Sequence, residues 1–230
     1  MLRQGIIIQG PTQYYREVCE VYSAYKDVVW STWVDEPSEN IDFIISSGIG
    51  VILNHKPEFN GYLNVNLQLA STLRGIEYFK ERGFTEVIKV RSDMLFYNLD
   101  KLLPKLHGKE IAFLGLNDSS RKTKLAYYLD YYHHGLDFTP DHIVFGEIND
   151  MYNAFNYYTP IHNPVPPEAT ILRNYLITKG DVNFSHANLV DKGVYFFAND
   201  CVENDCTIMW IKEGWDFLGF ILNPHNYFIF

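Results

Sequence analysis

Arg91 and Asp93 stand two positions apart in the stretch VIKVRSDMLF, residues 87–96, with Lys89 two positions before Arg91. Apolar residues bracket the three charges, so the segment reads as a strand that can be buried only if its charges have partners. Asp93 is a hard oxygen ligand of the kind that holds Mg2+ or Mn2+, ions that keep waters and share substrate phosphates. Arg91 can neutralise a phosphate or brace a carboxylate through two parallel N–H bonds. Together they suit a diphosphate leaving group whose developing charge needs stabilising. The same two residues can also form a structural ion pair at a strand end, and the spacing alone leaves both readings open.

Carboxylates able to act as a base lie in the second half of the chain: Asp137, Asp141, Glu147, Asp150 and Glu168. Asp141 directly precedes the strand-like His142–Phe145, and Glu147 follows it closely. Glu168 follows Pro166-Pro167 at a helix start, where the helix dipole alone favours an acid. Several familiar signatures are missing. There is no G-x-x-x-x-G-K-[ST] loop, no G-x-G-x-x-G after the first strand and no G-x-S-x-G elbow. His133-His134 has no partner at helical spacing, and Cys201-x4-Cys206 lacks a second pair at zinc spacing.

The elements that must position these residues alternate between short apolar runs and helical patterns. Gly5–Gln9 reads as a strand closed by Gly10-Pro11, and Thr12 as a cap for a helix reaching about Lys26. Val28–Trp33 and Val51–Leu53 read as further strands, with a short helix over residues 37–47. Tyr62–Arg82 reads as a long helix closed by Gly83, with Tyr62, Asn66, Leu69, Ala70, Leu73 and Ile76 on one face. Asn66 is out of character on that stripe, and must satisfy nearby backbone or meet a ligand. The opening stretch is then a fourth strand, and residues 110–116 a fifth. Residues 117–140 show no clear period. After His142–Phe145 come helices over about 149–157 and 168–178, then short strands near 194–198 and 206–212. This alternation predicts an α/β domain with a mainly parallel sheet covered by helices on both faces. In such a sheet ligands sit beyond the carboxyl ends of the strands, which here are Gln9-Gly10-Pro11-Thr12, Ser31-Thr32-Trp33, Asn54-His55 and Arg91-Ser92-Asp93.

At 230 residues the chain is long enough for one large domain, with no linker to divide it. A net charge of −9 argues against general nucleic-acid binding, which needs a basic footprint. The 17 Tyr, 16 Phe and 4 Trp fit core packing, and also ring faces on which a base or a sugar can stack. Three cysteines cannot build a disulfide framework, and no apolar run reaches membrane-spanning length. A cytoplasmic protein, with at most peripheral membrane contact, is expected.

IIIQGPT, VVWSTW, NVNLQLASTLRGI and VIKVRSD, followed by DHIVFGEINDMY and PPEATILRNYL, resemble the WavE family of lipopolysaccharide-synthesis proteins over most of residues 5–178. The resemblance implies a GT-A-like glycosyltransferase fold. Residues 1–100 would form a nucleotide-binding half, and residues 101–230 an acceptor half with an irregular C-terminal part. It implies a nucleotide-sugar donor, a glycan or glycolipid acceptor and a Mn2+ or Mg2+ ion. Gln9, Gly10 and Thr12 would border the nucleotide, Thr32 and Trp33 would line the base and ribose side, and Asn64, Asn66 and Gln68 would form a polar edge. Arg91-Ser92-Asp93 would stand where such enzymes place Asp-x-Asp, with Asp93 on the metal and Arg91 in place of the first acid. Beyond about residue 180 the resemblance does not extend, and there His186 or His225 could add a metal ligand if the tail folds back. Asp141, with Glu147 as alternate, would take the acceptor proton if the enzyme inverts, and the aromatic run Tyr127–Tyr132 would form the acceptor platform.

Overall fold

The computed structural model describes residues 3–97, 99–114, 143–157, 167–180, 193–196 and 207–210. β1 (Gln4–Gln9), β2 (Val28–Trp33), β3 (Gly50–Asn54) and β4 (Glu86–Arg91) are mutually parallel, in the order β3-β2-β1-β4. β7 (Ile143–Glu147), β6 (Ile111–Leu114) and β8 (Val194–Phe196) continue the sheet beyond β4. Only β7 runs against the other six strands described in this sheet. The expected mainly parallel sheet with helices on both faces is the observed architecture.

Alternate strand residues feed two cores, as the two-residue side-chain period requires. Ile6, Ile8, Val28, Trp30, Ile88 and Val90 pack on one face against α1 (Tyr15–Tyr22), α2 (Ser38–Ser46) and α4 (Leu99–Leu106). Ile7, Val29, Val87 and Val144 pack on the other against α3 (Val65–Glu81), α5 (Ile148–Phe155) and α6 (Pro167–Thr178). The strands are apolar on both faces because both faces are covered. Lys89 pairs in register with Ile7 and Val144, and so lies on the α3 face, fully buried.

Several boundaries differ from the sequence reading, among them the end of the first helix, at Tyr22 rather than about Lys26. The first helix begins at Tyr15 rather than Thr12, whose hydroxyl is taken by Glu36 across the chain instead of capping the helix. The long helix begins at Val65, because Tyr62–Asn64 form a 3-10 turn in which Leu63 and Asn64 adopt left-handed φ of 49° and 62°. The opening stretch is two strands: β4 ends at Arg91, and β5 (Met94–Tyr97) leaves the sheet to pair with β9 (Thr207–Trp210). β5 is anchored on α1 by Tyr22, whose hydroxyl donates to the Met94 carbonyl and accepts the Phe96 N–H. Burial pushes the Tyr22 hydroxyl far up in pKa, which keeps it neutral in both roles. No helix among the described residues is long and apolar enough to cross a membrane.

Candidate functional site at the carboxyl edge of the sheet

Four parallel strands end together at one edge, and the register there sets the site. Gln9 lies between Ser31 of β2 and Arg91 of β4, and Trp33 lies beside Asn54 of β3. The Ser92 N–H donates to the Gln9 carbonyl at 2.9 Å, which carries the β1–β4 contact one residue past the strand and fixes the turn that follows. Gly10, at φ 129°, makes that turn possible. A Cβ on it would meet Ser92 Oγ at 2.5 Å, so only glycine lets the two chain turns approach so closely.

At the centre of this edge Arg91 and Asp93 bind each other. Arg91 Nε donates to Asp93 Oδ1 at 2.8 Å, and Nη2 donates to Oδ2 at 2.7 Å. This is the two-pronged geometry in which a guanidinium matches a carboxylate. The two side chains keep 31% and 25% of their surface exposed, so the pair sits at the edge within reach of a ligand.

The remaining expected site residues take varied places. Gln9 is half-buried beside Arg91. Thr12 is buried, with its N–H and hydroxyl both donating to Glu36 and its hydroxyl accepting from Asn40. Trp33 is 4% exposed and offers no open ring face. Thr32 is fully buried, and its hydroxyl makes no hydrogen bond. Asn64 is exposed in its left-handed turn, while Gln68 is buried on α3. Of the two roles open to Asn66, the backbone one is visible: its side-chain amide donates to the Phe59 carbonyl at 3.1 Å, and its N–H to the Asn60 carbonyl.

Glu147 requires a correction. β7 runs antiparallel to β4 and pairs Glu147 with Glu86, at the start of β4, while Ile143 pairs with Val90. Glu147 therefore lies five residues down β4 from Arg91, roughly 16 Å away at the opposite edge of the sheet. It cannot take a proton from a substrate held at Arg91. Residues entering β7 do so at the Arg91 edge, but Asp141 lies outside the described residues. So do Tyr127–Tyr132, His186 and His225, as well as the side chain of Glu168.

A divalent cation would set definite demands on the donors at this edge. Such an ion takes several oxygen ligands, usually from one or two carboxylates together with waters and substrate phosphates. Here the one carboxylate at the strand end has both oxygens on a cation, Arg91. Among the described residues no group of three or more His, Cys, Asp and Glu could hold a metal. Among the described residues, the donor that Asp93 offers at this edge is therefore a single carboxylate already paired with Arg91.

The sequence reading missed two supports. Glu36 ties the β1–α1 loop to the end of β2, and nothing in its spacing marks it. Ser31 binds the Ser71 carbonyl of α3 and accepts from Asn54, and a serine within an aromatic strand was the available signal.

No protein-family model matches the chain, and no curated protein matches it. Solved structures share its fold. The bifunctional glycosyltransferase WbbM matches with a TM-score of 0.51 and 11% identity, over 86% of this chain and 39% of that one. An active-site mutant of LgtC matches with a TM-score of 0.51 and 10% identity, over 86% and 73%. The 4-diphosphocytidyl-2C-methyl-D-erythritol synthase of Anaerococcus prevotii matches at 0.50 and 9%, over 85% and 88%. At these identities the likeness is one of architecture: the chain has a GT-A-like fold.

Proposed function

We propose that the protein is a glycosyltransferase that moves a sugar from a nucleotide-sugar donor to a glycan or glycolipid acceptor. The observation that carries this reading is the Arg91–Asp93 pair at the carboxyl end of the central strand of a GT-A-like sheet. There the donor's diphosphate would meet Arg91, with Gln9 and Gly10 alongside. In the transfer step the bond between the anomeric carbon and the β-phosphate oxygen breaks, and its electron pair stays on that oxygen. Arg91 stabilises the charge that develops. The acceptor oxygen bonds to the anomeric carbon, and for an inverting reaction its proton passes to a carboxylate, for which Asp141 is the candidate. The resemblance to WavE proteins supports a surface polysaccharide or lipopolysaccharide as the product, built by a cytoplasmic enzyme.

A sugar nucleotidyltransferase is the competing reading, but the loop after β1 holds a single glycine, Gly10, and no Gly-rich basic stretch. A thermal-shift panel of UDP, GDP, CDP and dTDP sugars tests the proposal. One base class should raise the melting temperature, and that donor should lose its sugar to an acceptor. A panel without any response would overturn the reading. Release of pyrophosphate from a nucleoside triphosphate and a sugar 1-phosphate would replace it with nucleotidyl transfer.

A further inference from the structure

The pairing of Arg91 with Asp93 bears on what neutralises the donor's diphosphate, and the argument rests on the transferase reading above. Asp93 presents both oxygens to one guanidinium, at 2.8 and 2.7 Å. A divalent ion bound to either oxygen would stand beside a positive charge already in place, and the two would repel. The turn between β4 and β5 holds this arrangement from both sides. Ser92 is buried, its N–H is on the Gln9 carbonyl, and its side chain fills the space left by Gly10. β5 follows at once, anchored by Tyr22. The pair is therefore built into the backbone path rather than formed by two mobile surface side chains.

We propose that donor binding at this edge does not depend on a metal: Arg91 supplies the positive charge for the nucleoside diphosphate, and Asp93 is a positioning residue that orients the guanidinium. A guanidinium suits this work because it is planar, permanently charged and matched to phosphate oxygens. Its partial exposure at the sheet edge gives a diphosphate access. Asp93 then acts through Arg91 and need not touch the donor.

The test is calorimetric titration of UDP, GDP, CDP and dTDP into the full chain, once with EDTA and once with Mn2+. The diphosphate that binds should do so with the same Kd, within about twofold, in both conditions. Arg91→Ala should weaken it by about tenfold or more, the worth of a charge-assisted hydrogen bond. Arg91→Lys keeps the charge without the fork, and should fall between Arg91→Ala and the wild type. Asp93→Asn should weaken binding by a few-fold, about the effect of loosening one charged contact, and leave it indifferent to Mn2+. Asp93→Glu should recover part of that loss. Circular dichroism and melting temperature serve as the folding control, and Arg91→Lys keeps the test decisive if Arg91→Ala does not fold. A Kd that tightens strongly on Mn2+, with the gain abolished in Asp93→Asn, overturns the inference while the transferase reading stands. If no diphosphate binds in either condition, both fall.

Discussion

Thr32 carries a fully buried hydroxyl without a hydrogen bond, a state that ordinarily costs about 1–3 kcal/mol. It stands at the end of β2, one strand away from Gln9. Replacing it with Val keeps the shape and removes the orphan group, so Thr32→Val should stabilise the ligand-free protein by up to about 1 kcal/mol in chemical denaturation. If the hydroxyl serves the donor's ribose side, the same variant should bind nucleoside diphosphate more weakly, so stability and affinity would move in opposite directions. Loss of stability without any change in affinity would make it a plain packing residue. Gly10 answers a different constraint. Gly10→Ala would place a methyl against Ser92 and force a left-handed φ on alanine, and should displace the turn that carries Asp93.

At the scale of elements, α3 decides how close the helical layer comes to the sheet. Gly75 faces Ile7 so closely that a Cβ would stand 2.5 Å from Ile7 Cγ2. Alanine is the better helix former, by about 1 kcal/mol, but here overpacking outweighs propensity. Gly75→Ala should therefore destabilise by about 1–3 kcal/mol, read as a lower urea midpoint. The start of α3 is under the opposite tension. Leu63 is exposed and held at φ 49°, a conformation that costs a non-glycine residue about 1–2 kcal/mol. Leu63→Gly removes that strain at some cost in unfolded-state entropy, and should be neutral to stabilising by up to about 1 kcal/mol. A clear loss of stability would mean that the Leu63 side chain holds the turn.

Across the whole molecule, the sheet has the edge proposed to meet the donor and an opposite, structural edge. The structural edge gathers charges that close the fold. Glu86, nearly fully buried, accepts from Gln4, from the Gly108 N–H and shares a contact with His107. At the same edge, Lys179 reaches Glu110 and Asp150, joining the end of α6 to the entry of β6 and to α5. The hydrogen bond from Lys179, against a smaller effect of burial and with help from Tyr175, holds the Glu110 carboxyl below its ordinary value of 4.5. A depressed carboxyl adds stability that is fully present above its unfolded value and is lost as pH falls through the folded one. Lys179→Met should thus lower the melting temperature by about 1–3 °C near neutral pH, since the pair is partly exposed. The gap between variant and wild type should close on acidification below about pH 4. A gap that persists in acid would point to packing by the lysine stem instead.

Much of this was legible in the sequence, for reasons that are local. The β-branched runs Ile6–Ile8, Val28–Val29 and Val87–Val90 have few other solutions than buried strands, and the polar residues closing them mark the edge where they end. The apolar stripe of α3 followed from its spacing, and the glycine beyond it from the need for a left-handed residue after the helix. Direction and partnership were not legible, because both depend on residues far away in the chain. The reversal of β7 sends Glu147 to the edge opposite Arg91, although its distance in sequence from the strand is no different from that of a catalytic acid. The break after Arg91 comes from the contact between Ser92 and the β1 turn, which no pattern within residues 87–96 contains. The sequence by itself determined that Arg91 and Asp93 would belong to a largely apolar, strand-like stretch. Only the tertiary structure decided that they face each other, because a turn fixed by Gly10 and Ser92 brings the carboxylate back onto the guanidinium.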